Sequence, residues 1–361
     1  MRTRVLAALA CALLACGDGG GAGADAGGGG EDAGAPDTTR DGSAPDGSAP
    51  DGSAPDAGAA GCGPCDAEAP WRCDRCLGAA AQEIVATVLD GRIVVAGGIE
   101  RGVVPTVRVY DPAADVWGEL PELPEPRHHV QLVAFAGDLY ALGGMRDLGF
   151  DALRTAWVLR AGADAWTPIA DLPRARAAGF AGVVEGRIVL VGGHGAGRAD
   201  TDKLEAGRPA LLYDPAEDAW SEGALMPTPR EHCAGFVHEG ELWVLGGRPL
   251  TLEPTFDTVE IYDPAEDRWR AGPAMASGHG GFAAAAAGGR AWAVGGEERA
   301  RALDLVEELD LESETWRSHA PVPTPRHGHA MAAIGGRVYV IGGADEPVFA
   351  AVDVVESFAI E

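Results

Sequence analysis

Six glycine pairs divide most of this 361-residue chain into near-equal lengths. They stand at Gly97-Gly98, Gly143-Gly144, Gly192-Gly193, Gly246-Gly247, Gly295-Gly296 and Gly342-Gly343, spaced 46, 49, 54, 49 and 47 residues apart. A tryptophan follows each of the first five, at Trp117, Trp166, Trp220, Trp269 and Trp316. Seven residues before each tryptophan is a bulky side chain: Tyr110, Leu159, Tyr213, Tyr262 or Leu309. Ten residues after each comes a polar lead-in position, Arg127, Arg176, Arg230, His279 or Arg326, and sixteen residues further on is the next glycine pair. A period in this range means that each repeat is one supersecondary unit, stable only against its neighbours.

Within a repeat, apolar runs of four to eight residues are bounded by Gly, Pro and Asp, the punctuation of short strands. Paired glycines at a strand end suit positive φ or close backbone approach. The Asp-Pro after Tyr110, Tyr213 and Tyr262 ends a strand, since proline cannot donate to a ladder. Four strands per repeat cannot bury both faces of one sheet, whereas six sheets arranged radially can. The pattern predicts an all-β, six-bladed β-propeller.

The last repeat lacks its tryptophan. The third-strand segment ends near Phe358, in the bulky position, and the sequence stops at Glu361. Counting back from Gly97 places Ala81 in the lead-in position and Trp71 ten residues earlier. The strand around Trp71 is therefore expected to complete the last blade and close the ring, removing a free sheet edge.

The double glycine with spaced Tyr and Trp resembles the kelch repeat of β-propellers over roughly residues 66–361. That resemblance implies that the lead-in positions share one face with the loops after the glycine pairs, and that this face binds the ligand. Carried over by register, Arg127, Arg176, Arg230, His279 and Arg326, with His129, His232 and His327 nearby, are the ligand-binding candidates. Arginine pairs with carboxylate or phosphate in bidentate geometry, so the rim could cradle an anion. A framework role, packing or hydrogen bonding between blades, competes for every arginine. The histidines are read as lying at differing offsets from their repeat starts, so no matched ligand ring, no metal site and no cofactor is expected. The five tyrosines occupy strand positions, which leaves none for a copper radical site of the kind some kelch-like propellers carry. The loop from His194 to Gly207, holding the single lysine Lys203, is a secondary contact surface.

The N-terminal part has a different character. A basic Met1 to Arg4 and an apolar Val5 to Leu14 form an export signal too short to span a membrane. Leu13, Leu14, Ala15 and Cys16 resemble the lipobox of bacterial lipoproteins, which implies a signal peptide over 1–15 and lipidation of Cys16. Residues 16–61 form a Gly-, Ala-, Asp- and Pro-rich stalk, with Asp-Gly-Ser-Ala-Pro three times from Asp41 to Pro55, expected to be disordered. A Cys-rich closing segment, 62–80, carries Cys62, Cys65, Cys73 and Cys76, and the propeller proper spans 81–361. In an exported chain these cysteines are disulfide candidates of undetermined pairing, with zinc binding and redox chemistry as competing readings.

The whole chain has a formal charge of −27, of which residues 62–361 carry −21. Such a field disfavours nucleic acid and anionic lipid surfaces. The expectation is a binding module at the bacterial outer membrane or cell surface, with a periplasmic or secreted location as the alternative, tethered to the membrane by its lipid anchor and taking a glycan, peptide or protein partner. A carbohydrate-directed enzyme resembling sialic-acid epimerases is the alternative function.

Overall fold

A computed structural model describes residue 68 and residues 70–360. The expected signal peptide, the expected lipidation site Cys16, the expected stalk, Cys62 and Cys65 lie outside the described residues. The rest is a six-bladed β-propeller of four-stranded antiparallel sheets. Blade 1 consists of Val85–Leu89, Arg92–Ala96, Val107–Asp111 and Val116–Leu120. Blades 2 to 5 begin at Gln131–Phe135, Ala177–Val184, Ala234–His238 and Ala283–Ala287. Blade 6 is built from Ala330–Ile334, Arg337–Ile341, Val355–Ala359 and, from the other end of the propeller, Trp71–Cys73. The ring closes as expected: Trp71 pairs with Phe358, Arg72 with Ser357 and Cys73 with Glu356.

The seven-residue spacing of bulky residue and tryptophan is a cross-strand register. Tyr110 faces Trp117, Tyr213 faces Trp220, Tyr262 faces Trp269 and Leu309 faces Trp316. Each of these tryptophans is also a tie between blades. The indole N–H of Trp117, Trp166, Trp220, Trp269 and Trp316 donates to the carbonyl of Arg75, Pro121, Ala170, Ala224 and Pro273, in the blade before its own. An amphipathic ring with one polar edge suits a place that is apolar against the sheet and satisfied at its rim.

Glycine is required at the pairs because blades approach through backbone there. The second glycine N–H donates to the carbonyl of the next lead-in residue: Gly98 to Arg127, Gly144 to Arg176, Gly193 to Arg230, Gly247 to His279, Gly296 to Arg326 and Gly343 to Ala81. A Cβ on Gly143, at φ 61°, would lie 2.2 Å from the carbonyl oxygen of Arg176. The core follows the same plan. Its apolar clusters sit between adjacent blades, as where Ile93, Val95 and Tyr110 of blade 1 meet Ala332, Tyr339 and Ile341 of blade 6. A further helix, Asp200–Gly207, occupies the long loop of blade 3 that the sequence marks as unusual.

Candidate functional site

The lead-in side chains explain the sixteen-residue spacing. Arg176 Nη1 donates to the Gly192 carbonyl at 2.7 Å, Arg230 Nη1 to Gly246 at 3.1 Å and Arg326 Nη1 to Gly342 at 3.0 Å. Nδ1 of His279 makes the equivalent bond to Gly295 at 2.7 Å. Arg230 also pairs with Glu260 at 2.8 Å, and Arg326 with Glu356. Arg127 differs in detail, bonding Glu125, the Pro126 carbonyl and Thr155 while its guanidinium lies 4.5 Å above the Trp157 ring. All five residues are buried. Burial pushes the Arg176 guanidinium down to about 9, and lowers Arg127, Arg230 and Arg326 in the same direction. Among the candidates these five serve the frame: an anion reaching them would have to displace bonds to backbone carbonyls.

The remaining three, His129, His232 and His327, converge at one mouth of the channel with residues that sequence reasoning passed over. The third position of each lead-in segment forms a ring of Glu83, His129, Ala178, His232, Gly281 and Gly328. All six have left-handed backbones, with φ between 49° and 67°. Backbone hydrogen bonds run right round this ring. The N–H of His129 donates to Glu83, Ala178 to His129, His232 to Ala178, Gly281 to His232, Gly328 to Gly281 and Ile84 to Gly328, over 2.8 to 3.4 Å. Non-glycine residues persist in this region only where surroundings over-determine them, and a closed six-membered circuit does so. The ring lines one end of a channel cavity of about 160 Å³.

The expectation of unmatched histidine offsets is corrected here. His129 and His232 occupy the same repeat position, two residues past Arg127 and Arg230. Their Nε2 atoms lie 2.8 Å apart. Nε2 of His129 is also 2.9 Å from Oε2 of Glu83. Behind the pair, Nδ1 of His232 makes a short, angled contact of 2.7 Å with Oε2 of Glu231. Nδ1 of His129 lies 2.7 Å from Nδ1 of His128, whose Nε2 is 3.0 Å from the Asp147 carbonyl. A carbonyl only accepts, so His128 carries its proton on Nε2. Burial lowers His128 to about 4, which leaves its Nδ1 as an acceptor for the Nδ1–H of His129.

Three carboxylates share this space with one guanidinium. Arg248 reaches Glu231 at 3.3 Å and Glu297 at 2.6 Å. Glu83 has no such cation; its ion-pair partners among the described residues are His129 and, at 3.7 Å, His327. His327 Nδ1 is also 3.7 Å from Glu297, and His194 Nδ1 is 3.3 Å from Glu231. Despite burial, which opposes ionisation, His129 holds the Glu83 carboxyl well below the usual carboxylate range, and His232 does the same for Glu231. His129 is raised by Glu83, against its own burial. His232 is lowered by burial and by Arg248.

Loops after the glycine pairs surround this mouth, as the isolated bridges His128 to Met145, Glu231 to Arg248, Phe256 to His279 and His327 to Ala344 establish. In blade 6 the loop tip Pro347, Val348 and Phe349 is held by Gln82. The Gln82 amide donates to the Val348 carbonyl at 2.7 Å and accepts from the Ala350 N–H at 3.2 Å. Val348 stands at φ 74°, and Phe349 is 52% exposed.

Comparison with known proteins places kelch repeats in this part of the chain. The family model described as the KLHDC2/KLHL20/DRC7 Kelch-repeats domain matches residues 171–343. Beta-scruin of Limulus polyphemus is 33% identical over 143 residues, 38% of this chain and 15% of that protein. Kelch-like protein 35 of Mus musculus is 31% identical over 170 residues, 44% of this chain and 26% of its own. The F-box/kelch-repeat protein SKIP30 of Arabidopsis thaliana is 33% identical over 151 residues, 38% and 41% respectively. The chain thus spans less than half the length of these relatives.

Proposed function

We propose that the propeller is a binding module whose partner is a protein or peptide segment docked on the channel-mouth face. The observation that carries this reading is the loop tip at Phe349. An aromatic side chain half open to water, on a loop clamped by a buried glutamine beside a cluster of carboxylates, has the make-up of an interface anchor. The strained Val348 supports it, because such backbone is kept where a loop must present a particular side chain. With a charge of −21 over residues 62–361 and Glu83, Glu231 and Glu297 at the mouth, the complementary segment is cationic with an apolar residue for the Phe349 tip. The glycan ligand and the epimerase-like activity are weaker members of the same proposal, since the five framework residues offer an acidic sugar no free guanidinium.

The cellular setting belongs to the proposal too. Lipidation at Cys16 would hold the propeller at a bacterial envelope on the acidic stalk, and disulfides among Cys62, Cys65, Cys73 and Cys76 would brace the closing strand. Cys73 and Cys76 each have an interaction partner, which supports the brace; among the described residues the free cysteine is the buried Cys233.

The test is selection of peptides from a random display library on the full chain, with an array of acidic and neutral glycans in parallel. Expected are basic peptides whose affinity falls at least tenfold in Phe349→Ser, at unchanged melting temperature, and weakens with salt. Selected peptides indifferent to Phe349→Ser would remove the docking site from this face. Binding confined to glycans would replace the peptide reading.

A further inference from the structure

We infer that Glu83, His129 and His232 form a binding site for one divalent first-row transition ion of the zinc type, at this mouth of the channel. The metal-binding atoms of these three residues all lie within 4.8 Å of one another. They come from three different blades, and the backbone circuit described above holds each one. A tetrahedral ion bonded at ~2.0 Å needs its ligand atoms about 3.3 Å apart. The spacings of 2.8 Å and 2.9 Å from His129 Nε2 to His232 Nε2 and Glu83 Oε2 are met by a small side-chain adjustment.

The surroundings match what a metal-bound imidazole requires. Such a histidine gives its other ring nitrogen to a carboxylate, carbonyl or similar acceptor, which sets the tautomer. His232 has Glu231 behind its Nδ1, and His129 has His128, itself fixed by the Asp147 carbonyl. With their Nδ1 sides turned to these groups, the two Nε2 atoms face each other across 2.8 Å, and Glu83 is the third donor. Charge points the same way. Three carboxylates face the guanidinium of Arg248, so with the imidazoles neutral, as metal ligands must be, two negative charges remain, the amount one divalent ion supplies. Two imidazoles and a carboxylate favour zinc, cobalt or iron over calcium or magnesium, which take oxygen donors. Three protein ligands leave a position open to the channel cavity, the arrangement of sites where an ion meets water or an incoming ligand. This goes beyond peptide docking and does not depend on it.

Binding of Co²⁺ and Zn²⁺ to the full chain, its cysteines oxidised, tests the site. Calorimetry is expected to give one equivalent. Co²⁺ should give visible d–d bands without the near-ultraviolet band of thiolate ligation, and Zn²⁺ should quench them. His129→Ala, His232→Ala and Glu83→Gln should each abolish the cobalt spectrum, and Glu231→Gln should weaken affinity ten- to a hundredfold. His194→Ala, which leaves all three donors in place, should keep it. Circular dichroism on each variant separates a lost site from a lost fold. His232→Cys rescues the test should the alanine variants unfold, because a thiolate band would then appear. Absence of stoichiometric binding to the folded wild type overturns the proposal. So does a cobalt spectrum that survives in a folded His129→Ala/His232→Ala double variant.

Discussion

Trp71 and Phe358 stand directly opposite each other where the two ends of the propeller meet, their rings 4.8 Å apart and edge to face. Phe358 also packs edge-on against Trp292 of blade 5, so the seam is apolar on both sides. Trp71 is 6% exposed. Truncating it removes the largest side chain of a three-residue strand that alone covers the edge of blade 6. Trp71→Ala should cost about 3–5 kcal/mol in equilibrium denaturation. A loss below about 1 kcal/mol would mean that the seam holds without it.

The closure was legible in the sequence because it is a counting argument: Trp71 lies ten residues before Ala81, and Phe358 lies where the missing tryptophan's partner belongs. Blade number, strand order and register followed from the same counting. Hydrogen-bond direction did not. Arg176 and Arg230 have the residue type and position of a ligand rim, and only the folded backbone reveals carbonyls waiting at Gly192 and Gly246. The mouth ring had a signal that went unread. His129 and His232 share a repeat offset, but Glu83, Ala178, Gly281 and Gly328 fill the other four places, so residue type hid a shared backbone conformation. Glu231, Arg248 and Glu297 also stand at fixed repeat positions, one after the lead-in residue or directly after a glycine pair, but other residue types fill those positions in the other blades.

The glycine pairs can be tested against glycines of another kind. Gly143 and Gly137 both have positive φ, 61° and 87°. A Cβ on Gly143 would collide with the Arg176 carbonyl, whereas one on Gly137 meets nothing within 4 Å. Gly137→Ala should therefore cost only the conformational penalty, about 1–2 kcal/mol. Gly143→Ala adds a backbone clash between blades and should cost at least ~2 kcal/mol more, or prevent folding. Equal melting temperatures would show that the blades can separate at that point.

Arg326 is fully buried, as is its partner Glu356, and its Nη1 is shared between the carbonyls of Gly342 and Val354. Arg326→Met takes the cation from the buried Glu356 carboxylate, which keeps its Thr324 hydrogen bond, and removes one donor from each of the two carbonyls, so a loss of about 3–5 kcal/mol is expected. Adding Glu356→Gln removes the stranded charge and should restore part of that loss. A double variant less stable than the single one would contradict the framework role.

His329 gives the acid side of the stability profile its sign. It is buried beside the channel, and burial, then Arg326 and His327, hold it neutral far below the ordinary imidazole value. The unfolded chain takes up a proton here near pH 6.5 while the folded chain does not, so stability falls as pH drops below about 6.5. His128 and His232, also lowered, act in the same direction. His129, raised, acts in the opposite sense and above that range: its contribution is complete below about pH 6.5 and is lost as pH rises through its folded value. The ionised Glu83 and Glu231 begin to cost stability only as pH falls below about 4.3. Between about pH 6.5 and 5.5 the lowered histidines lead the slope, and each adds up to ~1.4 kcal/mol per pH unit. Denaturation midpoints followed across this window should flatten by about that amount in His329→Gln. An unchanged slope in a folded variant would show that the imidazole gains its proton without leaving the core.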